Sequence, residues 1–269
     1  ITRNNKPINS ELNMNRINLL FQNNPGNLLS IYFCAGCPTL EGTADVIRTL
    51  EKNGVNMIEI GIPFSDPMAD GIVIQDAATC ALRNGMSLRL LFEQLQDIRR
   101  DFRIPLLLMG YLNPIMHFGF EAFCRKCAEC GIDGVIIPDL PFRDYEKNYK
   151  TIALKYDLRV IMLITPETDE KRIREIDAHT DGFIYMVSSA ATTGAQKDFD
   201  NRKQAYFKKI QDMNLHNPRM VGFGISNKQT FDAACSHASG AIIGSRFVTL
   251  LNKYKGDAQQ AITHLKEDL

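Results

Sequence analysis

Two carboxylates stand close together in a stretch that changes character midway. Met57-Ile58-Glu59-Ile60-Gly61 is a short apolar run with one acid inside it, and Ile62-Pro63-Phe64-Ser65-Asp66-Pro67-Met68-Ala69-Asp70-Gly71 is a loop dense in Pro, Ser, Asp and Gly. An acid within an apolar strand is costly unless it is paired or has work to do. Asp70 lies where Gly61 and Gly71 loosen the chain and Pro63 and Pro67 stiffen it. One carboxylate at a strand end and another on the following loop fit general acid–base chemistry. Taken singly, Glu59 is equally readable as a structural acid bonded to backbone N–H groups, and Asp70 as a loop-capping residue.

A substrate anchor has to accompany such a pair. Three glycine-bearing loops offer one: Ser188-Ser189-Ala190-Ala191-Thr192-Thr193-Gly194-Ala195, Gly222-Phe223-Gly224-Ile225-Ser226-Asn227, and Gly244-Ser245. Any one of them alone is an ordinary turn. Together, late in the chain and with a short helix opening at Ser245, they read as a phosphate cradle built from backbone N–H groups. Neither G-x-G-x-x-G nor G-x-x-x-x-G-K-[ST] occurs, so the site is not a dinucleotide or P-loop type. Phe33, Tyr111, Tyr185 and Phe223, with Phe64 on the acid loop, supply a lining for a flat apolar ligand, although barrel cores use aromatics anyway.

The elements that must position these groups alternate along the chain. Strands are expected at Leu29–Cys34, Met57–Gly61, Leu106–Gly110, Gly134–Pro138, Val160–Ile164, Phe183–Val187, Met220–Gly222 and Ala241–Ile243. Helices are expected at Leu40–Asn53, Leu88–Phe102, Phe118–Cys130, Asp144–Tyr156, Asp169–His179, Arg202–Met213, Asn227–Cys235 and Asp257–Glu267. Such alternation means βαβ units around a parallel sheet, and eight of them point to an α/β fold closed as a (β/α)8 TIM barrel. Asn15 to Phe21 adds a short N-terminal helix, and Gly244–Leu251 an extra short helix after strand 8. Residues 1–13 are expected to be a disordered leader or tag remnant, and residues 14–269 a single barrel domain. In such a barrel the site forms at the C-terminal ends of the strands, where Glu59, Asp70 and the glycine loops all fall.

The 269 residues carry 31 basic and 31 acidic side chains, so nothing global draws the protein to nucleic acid or an anionic membrane. No apolar run reaches about 18 residues, which argues against a transmembrane helix, and a cytoplasmic protein is expected. The seven cysteines are odd in number and sit within elements, as reduced thiols do. Cys124, Cys127 and Cys130 share one helix face, and packing explains them more simply than a metal, since no second Cys pair or His pair completes a zinc set. The five histidines fall in helices and outer loops, and no metal site is expected. No Lys sits at a strand end to form an imine, because Lys197 lies on a loop. Asp66 and Asp139, the other acids at strand ends, are loop braces or partner contacts.

The long motif IEIGIPFSDPMADG, followed by Ile74-Gln75, closely resembles the signature of the tryptophan synthase α-subunit family, as does Met109-Gly110-Tyr111-Leu112-Asn113-Pro114. The glycine loops after strands 7 and 8 resemble that family's phosphate loops, and the likeness runs from about Met14 to the end. The resemblance implies retro-aldol cleavage of indole-3-glycerol phosphate to indole and D-glyceraldehyde 3-phosphate in L-tryptophan biosynthesis. It implies Glu59 as general acid/base and Asp70 as the carboxylate that holds the indole N–H. It implies Gly194, Gly224, Gly244 and Ser245 as the phosphate cradle, Phe33, Tyr111, Tyr185 and Phe223 as ring-lining positions, and Thr193 on a mobile loop that orients Asp70. It implies no cofactor in this subunit, a β-subunit partner carrying pyridoxal phosphate, and an αββα heterotetramer with Asp66 on the partner side. Two departures stand out: Ile72 where the family pattern has Pro, and Ser189 where many relatives have Arg. Other phosphate-binding barrels, such as an isomerase or synthase of the same pathway, need a different acid/base set. A barrel kept mainly as an allosteric partner is a third reading, separated by assaying indole production with and without a β subunit.

Overall fold

Eight parallel strands close on themselves in sequence order, each hydrogen-bonded to the next and the last to the first. This computed structural model describes residues 14–24, 26–188 and 201–269. The strands are β1 Leu28–Cys34, β2 Met57–Gly61, β3 Leu106–Met109, β4 Gly134–Ile136, β5 Arg159–Ile164, β6 Ile184–Val187, β7 Arg219–Gly222 and β8 Gly240–Ile243. Helices occupy the crossovers and cover the outer face of the sheet, so the architecture is the expected (β/α)8 barrel.

Strand alternation divides the core into two shells. Leu28, Met57, Leu107, Ile136, Ile161, Tyr185, Met220 and Ile242 point inward and fill the barrel axis. Ile31, Ile58, Ile60, Leu106, Leu108, Val135, Val160, Val221 and Ile243 point outward under the helices. The helix Arg16–Asn23 closes the N-terminal end, with Ile17 fully buried among the inward residues. Asn15 caps that helix by accepting from the Ile17 N–H at 3.0 Å, and its amide donates to the Asp133 and Asp157 carbonyls at 2.9 Å each.

Several helices differ from the expected ones. A helix at Ile72–Arg83 follows the acid loop directly, where none was expected. Its buried stripe is Ile74, Ala77, Ala78 and Ala81, mostly too small to give a strong apolar periodicity. Another, Leu112–Phe118, follows β3; its Asn113-Pro114 reads as a turn in sequence, yet Pro is tolerated in a first helical turn. Gly119, at φ +93°, separates it from Phe120–Cys130. The expected helix 88–102 resolves into Leu88–Leu95 and a short 3-10 turn, Ile98–Arg100. The segment expected at 144–156 starts earlier, at Phe142, and carries a π-helical turn over Tyr145–Tyr149. Cys124, Cys127 and Cys130 are buried on one helix as free thiols. Among the described residues no helix is long and apolar enough to cross a membrane.

Candidate active site

Glu59 sits at the middle of β2 and its side chain enters the barrel, because its neighbours Ile58 and Ile60 face the helices. It is fully buried. Ser30, an inward residue of β1, donates its hydroxyl to Glu59 Oε1 at 3.0 Å, and Oε2 has no hydrogen-bond partner among the described residues. Burial pushes the Glu59 carboxyl up to about 8, with the Ser30 hydrogen bond pulling the other way. The group is therefore a carboxylic acid at neutral pH and can give up a proton.

Asp70 approaches from the loop beyond β2 and is buried. The Tyr111 hydroxyl donates to its Oδ2 at 2.8 Å and accepts from the Ala69 N–H at 2.9 Å, so one side chain pins both carboxylate and backbone. Gln75 donates to the Asp70 carbonyl at 2.7 Å, and the Ile74 and Gln75 N–H groups both reach the Gly71 carbonyl at 3.0 Å. Ile72 is the first residue of the helix, largely exposed. The loop is thus held by Tyr111 and Gln75, without the proline of the family pattern. Burial raises the Asp70 carboxyl above its usual range, and the Tyr111 hydrogen bond opposes the rise. Phe64 packs against Tyr111 at a tilt, with ring centres 5.4 Å apart.

Both carboxylates line one cavity at the C-terminal ends of the strands. Gly224, Gly244 and Ser245 line it too, together with Tyr32, Met109, Tyr185, Phe223 and Ile242. Ser245 is the first residue of the helix Ser245–Lys253, so the N–H groups of its first turn and the positive end of the helix dipole lie at the cavity wall. Phe223 takes a left-handed backbone at φ +68° between two glycines, and its ring meets Tyr185 edge-on at 6.0 Å. A Cβ on Gly222 would lie 2.2 Å from the Tyr185 hydroxyl, so only glycine permits this approach. The Ser188 hydroxyl donates to the Phe223 carbonyl at 2.5 Å and ties the loops after β6 and β7 together.

Phe33 is a correction. It is buried in the outer shell under the helices, and its neighbour Tyr32 stands on the cavity wall instead. The reason is parity: Leu28, Ser30 and Tyr32 share the inward face of β1, and Ser30, a lone polar residue within an apolar strand, marks that face. Ser30 and Tyr32 are the functional candidates that sequence reasoning missed. Tyr111 reaches the site through Asp70. Thr193 and Gly194, with Ser189 and Lys197, lie outside the described residues. Asp139 is a brace: its Oδ1 accepts from the Leu112 N–H at 2.8 Å. Asp66 is exposed, bonded to Ser65, beside the exposed Met68. No group of His, Cys, Asp and Glu that would hold a metal occurs among the described residues.

The arrangement combines two buried carboxylates, apolar and aromatic walls, and the N-terminal end of a helix on one cavity. Comparisons with known proteins agree on its context. The family model for the tryptophan synthase alpha chain matches residues 19–268. The tryptophan synthase alpha chain of Bacteroides fragilis is 78% identical over 253 residues, covering 94% of this chain and 96% of its own. That of Bacteroides thetaiotaomicron is 75% identical over 256 residues, covering 95% and 100%. Among solved structures, tryptophan synthase subunit alpha from Legionella pneumophila matches with a TM-score of 0.82 at 33% identity, over 92% of this chain and 94% of its own. A chain of the tryptophan synthase complex from Pyrococcus furiosus matches with a TM-score of 0.80 at 30% identity, over 90% and 96%. The chain belongs to the tryptophan synthase alpha chain family, the lyase subunit of tryptophan biosynthesis.

Proposed function

We propose that Glu59 and Asp70 divide the retro-aldol cleavage of indole-3-glycerol phosphate between them. The observation that carries this is the placement of two buried carboxylates and the Gly224, Gly244 and Ser245 rim on one cavity. The phosphate seats on that rim, with Gly194 completing it, and the indole ring lies between Tyr32, Tyr185 and Phe223. Glu59, as the acid, protonates indole C3. The positive charge this creates spreads to the ring nitrogen, whose N–H donates to the Asp70 carboxylate. Glu59, now ionised, takes the proton of the glycerol hydroxyl next to the breaking bond. The hydroxyl oxygen becomes the aldehyde of glyceraldehyde 3-phosphate, and the C–C bonding pair returns to the ring as indole. Glu59 ends as it began, protonated. The two carboxylates and the fixed geometry supply the proton and the counter-charge, so the step calls for no cofactor in this subunit. Thr193 is assigned the orienting of Asp70, as the resemblance implies.

The partner is a β subunit carrying pyridoxal phosphate, in an αββα heterotetramer in the cytoplasm. Exposed Met68 and Ile72 around Asp66, with Met116 beyond β3, give the mouth end of the barrel an apolar surface for it. The test is indole formation from indole-3-glycerol phosphate by the chain alone and with its cognate β subunit. Turnover alone, raised by the β subunit, is expected; its absence under both conditions overturns the proposal.

Tyr111→Phe probes Asp70 separately. Losing a hydrogen bond that favours the ionised carboxylate moves the Asp70 titration upward. The acid limb of kcat/KM, which needs ionised Asp70, moves to higher pH with it. Losing one hydrogen bond to a charged group costs about 1.5–3 kcal/mol, or roughly 10- to 100-fold in kcat/KM. A pH profile indistinguishable from wild type would remove Asp70 from its assigned role.

A further inference from the structure

Ser30 is the polar exception on β1, fully buried between outward Leu29 and Ile31. It lies one inward rung below Tyr32, which pairs in register with Glu59 across the β1–β2 ladder. From there its hydroxyl reaches back to Glu59 Oε1 at 3.0 Å. It does not line the cavity, so it acts through Glu59 rather than on a ligand. A carboxyl group turns about its last torsion over a broad range, and without a donor nothing distinguishes its two oxygens. Here one oxygen is held and the other, Oε2, is left without a partner among the described residues.

The surroundings leave this single contact in charge. Among the described residues, Tyr32 on β1, Tyr185 on β6 and Asp70 on the loop after β2 are the ionisable groups around Glu59. Leu107, its register partner on β3, is apolar, as are Ile161, Met220 and Ile242 along the barrel axis. No Lys, Arg or His lines the cavity among the described residues.

We propose that Ser30 is a positioning residue for the lyase reaction: its hydroxyl clamps Glu59 Oε1 and so assigns proton transfer to Oε2. This rests on Glu59 being the acid/base. The hydroxyl does a second thing, because a donor to the carboxylate favours the ionised form while burial favours the neutral one. The balance leaves Glu59 able both to give a proton to carbon and to take one from oxygen near neutral pH.

The experiment compares wild type, Ser30→Ala and Ser30→Thr by two readouts. One is the pH profile of indole formation. The other is an infrared difference titration of the Glu59 carboxyl, its band identified by disappearance in Glu59→Gln. In Ser30→Ala the Glu59 midpoint is expected to rise by about one pH unit, the worth of one hydrogen bond. The alkaline limb of activity should follow it, and kcat should fall roughly tenfold through lost alignment with KM little changed. Ser30→Thr keeps the hydroxyl and should restore both. Should Ser30→Ala fail to fold, Ser30→Cys carries the same reading, since a thiol is a weak donor. An unmoved infrared midpoint overturns the role of Ser30 and leaves that of Glu59 standing. Full turnover in Glu59→Gln overturns the acid/base assignment first, and the role of Ser30 with it.

Discussion

Glu59→Gln is expected to lower indole release by roughly 10³-fold, the usual worth of a positioned acid/base group. The substitution keeps the shape of the side chain, and Ser30 can still donate to the amide oxygen. What disappears is the exchangeable proton. Binding of glycerol phosphate should stay within about twofold of wild type, because the phosphate rim lies on other strands. The pH dependence supplies an internal check. In wild type Glu59 must start protonated, so kcat/KM should fall as pH rises through about 8. Stability carries the same signature. The folded-state value is raised above the usual carboxylate range, so above the unfolded value the unfolded chain has released a proton that the native state retains. Stability from this group is whole below about 4.5, drains as pH rises, and is spent by about 8. Glu59→Gln removes that slope. Urea midpoints at both ends of the window should therefore converge in the variant, and retained turnover would sink the assignment outright.

Asp133→Ala is expected to produce the largest loss of stability, about 3–5 kcal/mol by denaturant titration, the cost of breaking a buried ion pair from one side. Asp133 is 3% exposed. Its Oδ1 pairs with Arg16 at 2.8 Å, and its Oδ2 pairs with Arg99 at 2.5 Å while accepting from the Leu106 N–H at 2.9 Å. One carboxylate thereby joins the N-terminal helix, the turn before β3, the start of β3 and the start of β4. Arg99 is held down to about 10 by burial, with Asp133 working against that fall. Without the carboxylate, a buried guanidinium is left with its bonds to the Gly131 and Ile104 carbonyls and loses its ion pair. The folded variant should retain catalysis, since the network lies at the opposite end of the barrel from Glu59. A loss below about 1 kcal/mol would mean that the network is incidental to stability.

The strands of this barrel were legible because parallel strands buried on both faces are short, continuous apolar runs, and β2 as read, Met57–Gly61, is β2 as built. Helix Ile72–Arg83 was not, since alanines bury well but mark no stripe. Which side of a strand faces the axis is a parity question, and an aromatic pair such as Tyr32-Phe33 answers it only once a polar neighbour, Ser30, shows which face holds the carboxylate. The acid pair was legible from a single strand and loop. The clamp on each acid was not, because Ser30 comes from β1 and Tyr111 from the loop after β3, and they meet their carboxylates only after the barrel closes.

The helix Arg16–Asn23 has a consequence for traffic. Ile17 stoppers the axis at one end, and Asn15 and Arg16 latch the stopper in place. Among the described residues the barrel axis is therefore closed at that end. Traffic between Glu59 and solvent is then directed to the opposite rim, which carries Met68 and Ile72. A protein seated on that rim need not touch either carboxylate to govern the reaction, because it would decide what enters, what leaves and in which order.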